Sequence, residues 1–546
     1  MTGRAFGARR SPVLLELDLT ERPASAEGDD PVSRLQLRGR RPLRPILRAL
    51  HEAGADRNVA GLVAKIGGLP WTLAQELRLG VQVFAKSGKP TVAWAETLGE
   101  SSQDLAGYVL ATAFGEIWLQ PTGSLGALGV GIETTFLRGM LDKLGIEPQL
   151  EQRHEYKNAA DRLTRTEFTP AHRASLEQLA ASVFDDAVTA IAGGRGLEPD
   201  RVQMIIDTGP HQPEEARELG LLDQLGYRDE VYQALRDQTS TEAGLLFADR
   251  WQPRFRLRPP ARRRRHVALV SVRGPIVSGR TRLGATGRQS GSDSVCAELR
   301  AAASSDRARA VVLQVDSPGG SAVASDAIWR EVCRVRDSGK PVVVSMGEAA
   351  ASGGYYIACP ADVIVALPAT LTGSIGVFGG KLVLEGLLEK LGVHTGTVQQ
   401  GANALMYSPR RPFSDAERER FAATIDAIYA DFVAKVATGR SRSISQIEEV
   451  ARGRVWTGRD AVRAGLVDEL GGLRDAVRIA SARAGLTDDA PVLRSLRVPP
   501  LARLGSPKNS EDPRARAGGW PSLANAAGAL GLPADAWLRM PPIRLN

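Results

Sequence analysis

The sequence predicts an α/β protein built as two tandem copies of one domain, each around a parallel sheet. Three observations lead there. Phe168-Thr169-Pro170-Ala171-His172-Arg173 returns as Phe413-Ser414-Asp415-Ala416-Glu417-Arg418, and Ala216-Arg217-Glu218-Leu219-Gly220-Leu221-Leu222-Asp223 returns as Ala461-Val462-Arg463-Ala464-Gly465-Leu466-Val467-Asp468, both 245 residues later. Each copy alternates apolar extended runs with helical stretches, the pattern of a parallel α/β core. A length of 546 residues accommodates two domains of about that repeat size, each able to bury a substantial core. The expected division is a first repeat over 1–250, a basic linker over 251–266, a second repeat over 267–485 and a C-terminal tail over 486–546.

The elements follow in the same order in both copies. Val13 to Leu19 and Val267 to Val272 are apolar runs bounded by Pro or Gly, as buried strands are. After a helical stretch come β-rich runs ending in glycines, Gly61 to Gly68 and Ala310 to Gly320. A further helix leads to the shared turns Ser87-Gly88-Lys89-Pro90 and Ser338-Gly339-Lys340-Pro341, after which Thr91 to Ala95 and Val342 to Met346 are expected strands. The long closing helix begins at Thr169-Pro170 in one copy and Ser414-Asp415 in the other, with a capping hydroxyl at each start. Its apolar stripe, Leu176, Ala180, Val183, Ala187 and Ile191, recurs as Phe421, Ile425, Ile428, Phe432 and Val436 and is assigned to packing.

Composition removes several classes of function. Three cysteines, Cys296, Cys333 and Cys359, are odd in number and lack zinc spacing, which argues against a disulfide framework or a zinc site and for a reducing compartment. Met1 to Arg10 has no signal-peptide core, and no window offers about 18 uninterrupted apolar residues. The expected location is therefore the cytoplasmic side. The formal charge of +8 is partly gathered in Arg254 to Arg265, where arginines alternate with Pro253, Pro259 and Pro260. Proline and like charge make this a solvated linker, with peripheral contact to anionic membrane as the second reading. No aromatic platform accompanies it, so no nucleic-acid partner is expected. The glycine-lysine pairs Gly88-Lys89 and Gly339-Lys340 run into proline without the upstream glycine of a phosphate loop, and no cofactor is expected. In the tail, Ser506 to Gly519 is expected to be disordered and Leu523 to Leu538 to be a docked or interfacial segment.

The chemistry-bearing motifs are divided between the copies. Lys157 of the first copy faces Ala402, 245 residues on, while Ser352 of the second lines up with Leu105, 247 residues back. Neither copy holds both residues, and together they would make a serine nucleophile with a lysine base. Ser352 stands in Ala349-Ala350-Ala351-Ser352-Gly353-Gly354-Tyr355, where a strand would hand over to a helix whose N-terminus favours a developing alkoxide. Asp316-Ser317-Pro318-Gly319-Gly320-Ser321 ends a strand in glycines that let backbone N–H groups approach a ligand, as an oxyanion hole requires. A lysine titrates near 10.4 in water, so Lys157 can serve as a base only if burial lowers that value.

These motifs, with Leu371-Thr372-Gly373-Ser374-Ile375-Gly376, closely resemble the signal peptide peptidase A (protease IV) family in its long, two-repeat form, from about Val13 to Gly472. The resemblance implies two tandem crotonase-like (Clp peptidase-like) domains. It implies Ser352 as nucleophile, Lys157 in Glu155-Tyr156-Lys157-Asn158-Ala159-Ala160 as general base, Ser374 orienting the amine, and backbone N–H groups of Gly320 and Gly353 as oxyanion hole. It implies short apolar peptides, such as cleaved signal-peptide remnants, as substrates, bound as an added strand. It also implies a homo-oligomer, a homotetramer in that family. Members of the long form commonly carry an N-terminal membrane anchor, absent from this sequence, and the turn before Lys157 lacks the family's usual glycine.

Three other readings compete. A serine-histidine mechanism would need His394, which follows Ser352 but falls in a helix-to-strand connection. A crotonase-type acyl-CoA enzyme would use the same oxyanion hole with carboxylates such as Glu348. An inactive membrane-surface scaffold is disfavoured by the joint presence of Ser352, Lys157, Ser374 and the glycine pair.

Overall fold

The protein is described by a computed structural model covering residues 12–24, 40–99, 104–253, 264–284, 287–487, 490–494 and 538–539. Most of the basic Arg254 to Arg265 stretch and nearly all of the C-terminal tail, including Ser506 to Gly519 and all of Leu523 to Leu538 but its last residue, thus lie outside the described residues. The described chain forms two compact units, one of residues 12–131 with 183–253, the other of 132–182 with 264 onwards.

The first unit is built on six strands in the order Gln224–Leu225, Glu116–Leu119, Thr91–Ala95, Val59–Lys65, Val13–Asp18, Gly244–Phe247. Every neighbouring pair is parallel. The second unit carries a larger sheet whose main path runs Val455–Thr457, Leu371–Gly373, Val342–Ala351, Ala308–Ser317, His266–Arg273, Val492–Arg494, with Val363–Ala366 beside Val342–Ala351. Only Val455–Thr457 runs antiparallel to its neighbour.

Strands buried on both faces need apolar residues at both parities. In Ala308–Ser317, Val311, Leu313 and Val315 join one core, which includes Phe421, Ile425, Phe432 and Val436 of helix Asp415–Gly439. Ala310 and Val312 point the other way, into a core with Leu473, Ala476, Ile479 and Ala480 of helix Leu473–Arg483. Helix Asp415–Gly439 starts with the expected cap, where Ser414 and Glu417 satisfy each other's backbone N–H groups. Thr169 Oγ1 accepts from the His172 N–H at the start of helix Pro170–Arg195.

The internal repeat is visible in polar detail. In the first unit the Tyr108 hydroxyl donates to the Leu221 carbonyl at 2.8 Å, and Arg195 grips Asp223, whose other contact is the Ile117 N–H. In the second unit Tyr355 donates to Leu466 at 2.8 Å, Arg440 grips Asp468, and Asp468 accepts from Ile364. Tyr108 and Tyr355 are the fourth residues of the stretches starting at Leu105 and Ser352, so the helix register places Leu105 opposite Ser352.

Candidate active site

Three neighbouring parallel strands of the second unit deliver the polar groups at their C-terminal ends, the usual place for ligands in open α/β sheets. Gly319–Gly320 follows Ala308–Ser317, Ser352 follows Val342–Ala351, and Ser374 follows Leu371–Gly373. Ala351 pairs with Gly373 in the ladder, so Ser352 and Ser374 emerge side by side. Ser352 has φ 54° and Ser374 φ 50°, a left-handed backbone that non-glycine residues adopt at a cost. The Ser352 turn is held by its own N–H on the Gly373 carbonyl at 2.8 Å.

Lys157 arrives on a loop that follows strand Glu147–Gln152, which pairs antiparallel with Phe378–Val383. The loop is pinned at Arg153, whose N–H donates to the Val377 carbonyl, and at Tyr156, whose N–H donates to the Arg452 carbonyl. The Arg452 guanidinium also forks onto the Glu155 carboxylate. Further along the same stretch, Asp161 lies 3.3 Å from His172 Nδ1, both buried. Gly453, at φ 84°, has room for no side chain, because a Cβ there would stand 2.5 Å from the Lys157 nitrogen of the main chain.

The Lys157 side chain is fully buried, as are Ser352 and Ser374. Its Nζ lies 2.9 Å from Ser352 Oγ, 2.9 Å from the Ser374 carbonyl oxygen and 3.0 Å from Ser374 Oγ. None of these partners is a carboxylate, so burial acts unopposed and holds the amine well below the ordinary lysine range. A neutral amine has two N–H groups and one lone pair. The Ser374 carbonyl can only accept, which takes one N–H; Ser374 Oγ can take the second, leaving the lone pair for the Ser352 hydroxyl proton.

The glycines form the opposite wall. A Cβ on Gly353 would meet Ser325 Oγ at 2.6 Å and stand 3.1 Å from the Gly320 nitrogen; one on Gly354 would meet the Ser317 carbonyl at 2.7 Å. Gly353 opens helix Gly353–Ala358, so its N–H has no acceptor within that helix. Gly319–Gly320 is paired on one side with Ile276 and on the other, antiparallel, with Leu538–Arg539.

All five residues singled out from the sequence, Ser352, Lys157, Ser374, Gly320 and Gly353, therefore lie in one unit and around one point. His394 is an exposed residue of the 391–404 segment and Glu348 is exposed as well. What the sequence reading missed are Gly453, the Glu155–Arg452 fork, the Asp161–His172 pair and the pairing of Leu538–Arg539, at the end of the stretch expected to dock, with Gly319–Gly320. None of these is marked in the sequence; Gly453 stands between two arginines in Arg452-Gly453-Arg454, a setting that does not itself call for glycine.

Hydroxyl, buried amine and bare glycine edge at the ends of parallel strands define a Clp-peptidase-like class of α/β protein, and the Clp protease family model matches residues 278–371. The model of peptidase family S49 matches residues 83–242 and 334–487, one match in each repeat, and the chain belongs to that family. It is similar to the chloroplastic serine protease SPPA of Arabidopsis thaliana, 32% identical over 448 residues, covering 80% of this chain and 64% of the plant protein. It is similar to Protease 4 of Salmonella typhi, 32% identical over 455 residues with 81% and 72% covered. Protease 4 of Haemophilus influenzae is 30% identical over 470 residues, with 82% and 74% covered. The chain thus spans about two thirds to three quarters of the length of these relatives. Among the described residues no helix is long and apolar enough to cross a membrane.

Proposed function

We propose that the protein is a serine endopeptidase with a Ser352–Lys157 dyad that hydrolyses short apolar peptides, such as cleaved signal-peptide remnants. The observation that carries this reading is the Lys157 amine, fully buried without a carboxylate, 2.9 Å from the Ser352 oxygen. A solvated lysine would be protonated at pH 7 and useless as a base; desolvation removes that obstacle.

In the first step Lys157 Nζ takes the Ser352 proton as Oγ bonds to the peptide carbonyl carbon, and the carbonyl oxygen gains the negative charge. N–H groups of Gly353 and Gly320 are the donors available to that oxyanion. The C–N bond then breaks and the lysine proton goes to the leaving amine, which leaves an ester on Ser352. Water, deprotonated by the same amine, hydrolyses the ester and restores both groups. Ser374 keeps the amine in place through its carbonyl and hydroxyl. The substrate is expected to lie as an added strand along Gly319–Gly320. That edge carries Leu538–Arg539 in this structure, so a peptide has to displace it.

The acyl-CoA alternative has less behind it, since its carboxylate candidate Glu348 is exposed while the amine and hydroxyl are buried together. Hydrolysis of an apolar fluorogenic peptide separates the readings. Ser352→Ala and Lys157→Ala are each expected to cut kcat by about a thousandfold or more, as in other nucleophile-base pairs. Wild-type rates in either variant would refute the dyad.

A further inference from the structure

The glycine edge of the candidate site already holds a strand of the chain itself. Leu538–Arg539 runs antiparallel to Gly319–Gly320, with Leu538 opposite Gly320 and Arg539 opposite Gly319. The other side of the glycine pair is closed. Ser321 N–H donates to the Ile276 carbonyl at 2.9 Å, and a Cβ on Gly320 would stand 2.0 Å from the same oxygen. Gly319 N–H is taken by Ser317 Oγ at 3.2 Å, and that hydroxyl donates to the Gly274 carbonyl at 2.7 Å. A peptide can therefore add only where Leu538–Arg539 now lies.

The ladder also fixes which carbonyl faces the site. Successive residues of a strand send their N–H groups to opposite edges. With the Gly319 and Ser321 N–H groups taken by Ser317 and Ile276, Gly320 N–H is turned to the Leu538 side. Opposed residues of an antiparallel pair whose main-chain groups face each other exchange both hydrogen bonds, so the Gly320 N–H meets the Leu538 carbonyl. That N–H is one of the two donors available to the oxyanion. The second donor adjoins it, since a Cβ on Gly353 would stand 3.1 Å from the Gly320 nitrogen, and Ser352 directly precedes Gly353. A carbonyl resting on an oxyanion donor beside a nucleophile is the carbonyl that is attacked. The run that leads up to it, Ala536-Trp537-Leu538, is apolar, as the proposed substrates are.

We propose that the chain is its own substrate, with Ser352 cutting the Leu538–Arg539 bond and releasing residues 539–546. The inference rests on the peptidase reading. Ser352 Oγ bonds to the Leu538 carbonyl carbon while its proton passes to Lys157 Nζ. The bond to the Arg539 nitrogen breaks, and that nitrogen takes the proton from Lys157. Water then adds to the ester, one of its protons returning through Lys157 to Ser352 Oγ, and the chain is left ending in the Leu538 carboxylate. Because the strand and the site belong to one chain, the encounter is intramolecular and needs no second molecule.

Intact mass spectrometry of the full chain tests this, with hydrolysis of an apolar fluorogenic peptide measured on the same samples. The wild type is expected to be shortened by the mass of residues 539–546, and Ser352→Ala and Lys157→Met to keep their full mass. Leu538→Pro lacks the N–H that pairs with Gly320 and is expected to stay full length while hydrolysing the added peptide no more slowly than the wild type. Ser352→Ala mixed with wild type is expected to remain intact. A wild type that hydrolyses the peptide yet keeps residues 539–546 would overturn the proposal and leave the peptidase reading standing; one that does neither would remove both. Loss of residues 539–546 from Ser352→Ala, alone or in the mixture, would equally overturn it.

Discussion

The charge state of Lys157, on which the proposed chemistry depends, is set by what surrounds it, and that leaves a signature in stability. The folded amine is held well below the lysine range by burial, whereas in the unfolded chain it titrates near 10.4. Between those two values the unfolded state binds one proton more than the folded state, so the stability of the wild type rises with pH across that window. Lys157→Met removes the group in both states. Denaturant titrations of the two proteins from pH 6 to 10 are therefore expected to show the wild type gaining on the variant as pH rises, by about 1.4 kcal/mol for each pH unit inside the window. A constant difference would mean the amine is not depressed. Ser374→Ala removes one of the two N–H acceptors on the amine but leaves the Ser374 carbonyl. It is expected to lower kcat more than it raises KM and to move the acid limb of the pH–rate profile, which a merely structural residue would not do; an unchanged limb would remove Ser374 from the orienting role.

At the level of elements, the two closing networks give matched expectations. The Tyr108 and Tyr355 hydroxyls are buried, each with one carbonyl partner, and burial raises the pKa of both. Tyr108→Phe and Tyr355→Phe each strand a carbonyl, so each is expected to cost about 1 to 2 kcal/mol in urea unfolding; a large cost in one alone would break the equivalence. The strands, the closing helices and the opposition of Leu105 to Ser352 were legible because apolar periodicity and capping residues act over a few positions. The supports of the Lys157 loop were not. Glu155 and Arg452 are 297 positions apart, and an exposed arginine beside an exposed glutamate has no mark in the sequence until the fold brings them together. Gly453 is dictated by a clash with Lys157, which only the packed backbone creates. Leu523 to Leu538 was expected to dock, but the pairing of Leu538–Arg539 on Gly319–Gly320 was hidden because it rests on main-chain groups, which every residue but proline carries alike.

For the molecule as a whole, the two repeats share polar networks and helix registers, and at the start of the matching helix the second carries Ser352 where the first carries Leu105. The repeat was plain in the sequence, and so was the complementary placing of Lys157 and Ser352. That residues 132–182 belong to the compact unit of the second sheet was not, because periodicity tells a strand from a helix but not which sheet it joins. One reactive centre per chain is what the proposed dyad predicts. Intact mass spectrometry of the full chain treated with a fluorophosphonate measures it directly. The wild type is expected to gain one adduct, on Ser352, at a rate that rises with pH through a single ionisation below the ordinary lysine value, and Lys157→Met is expected to gain none. An adduct on Ser352 at an undiminished rate in Lys157→Met would contradict the claim that this buried amine is the base.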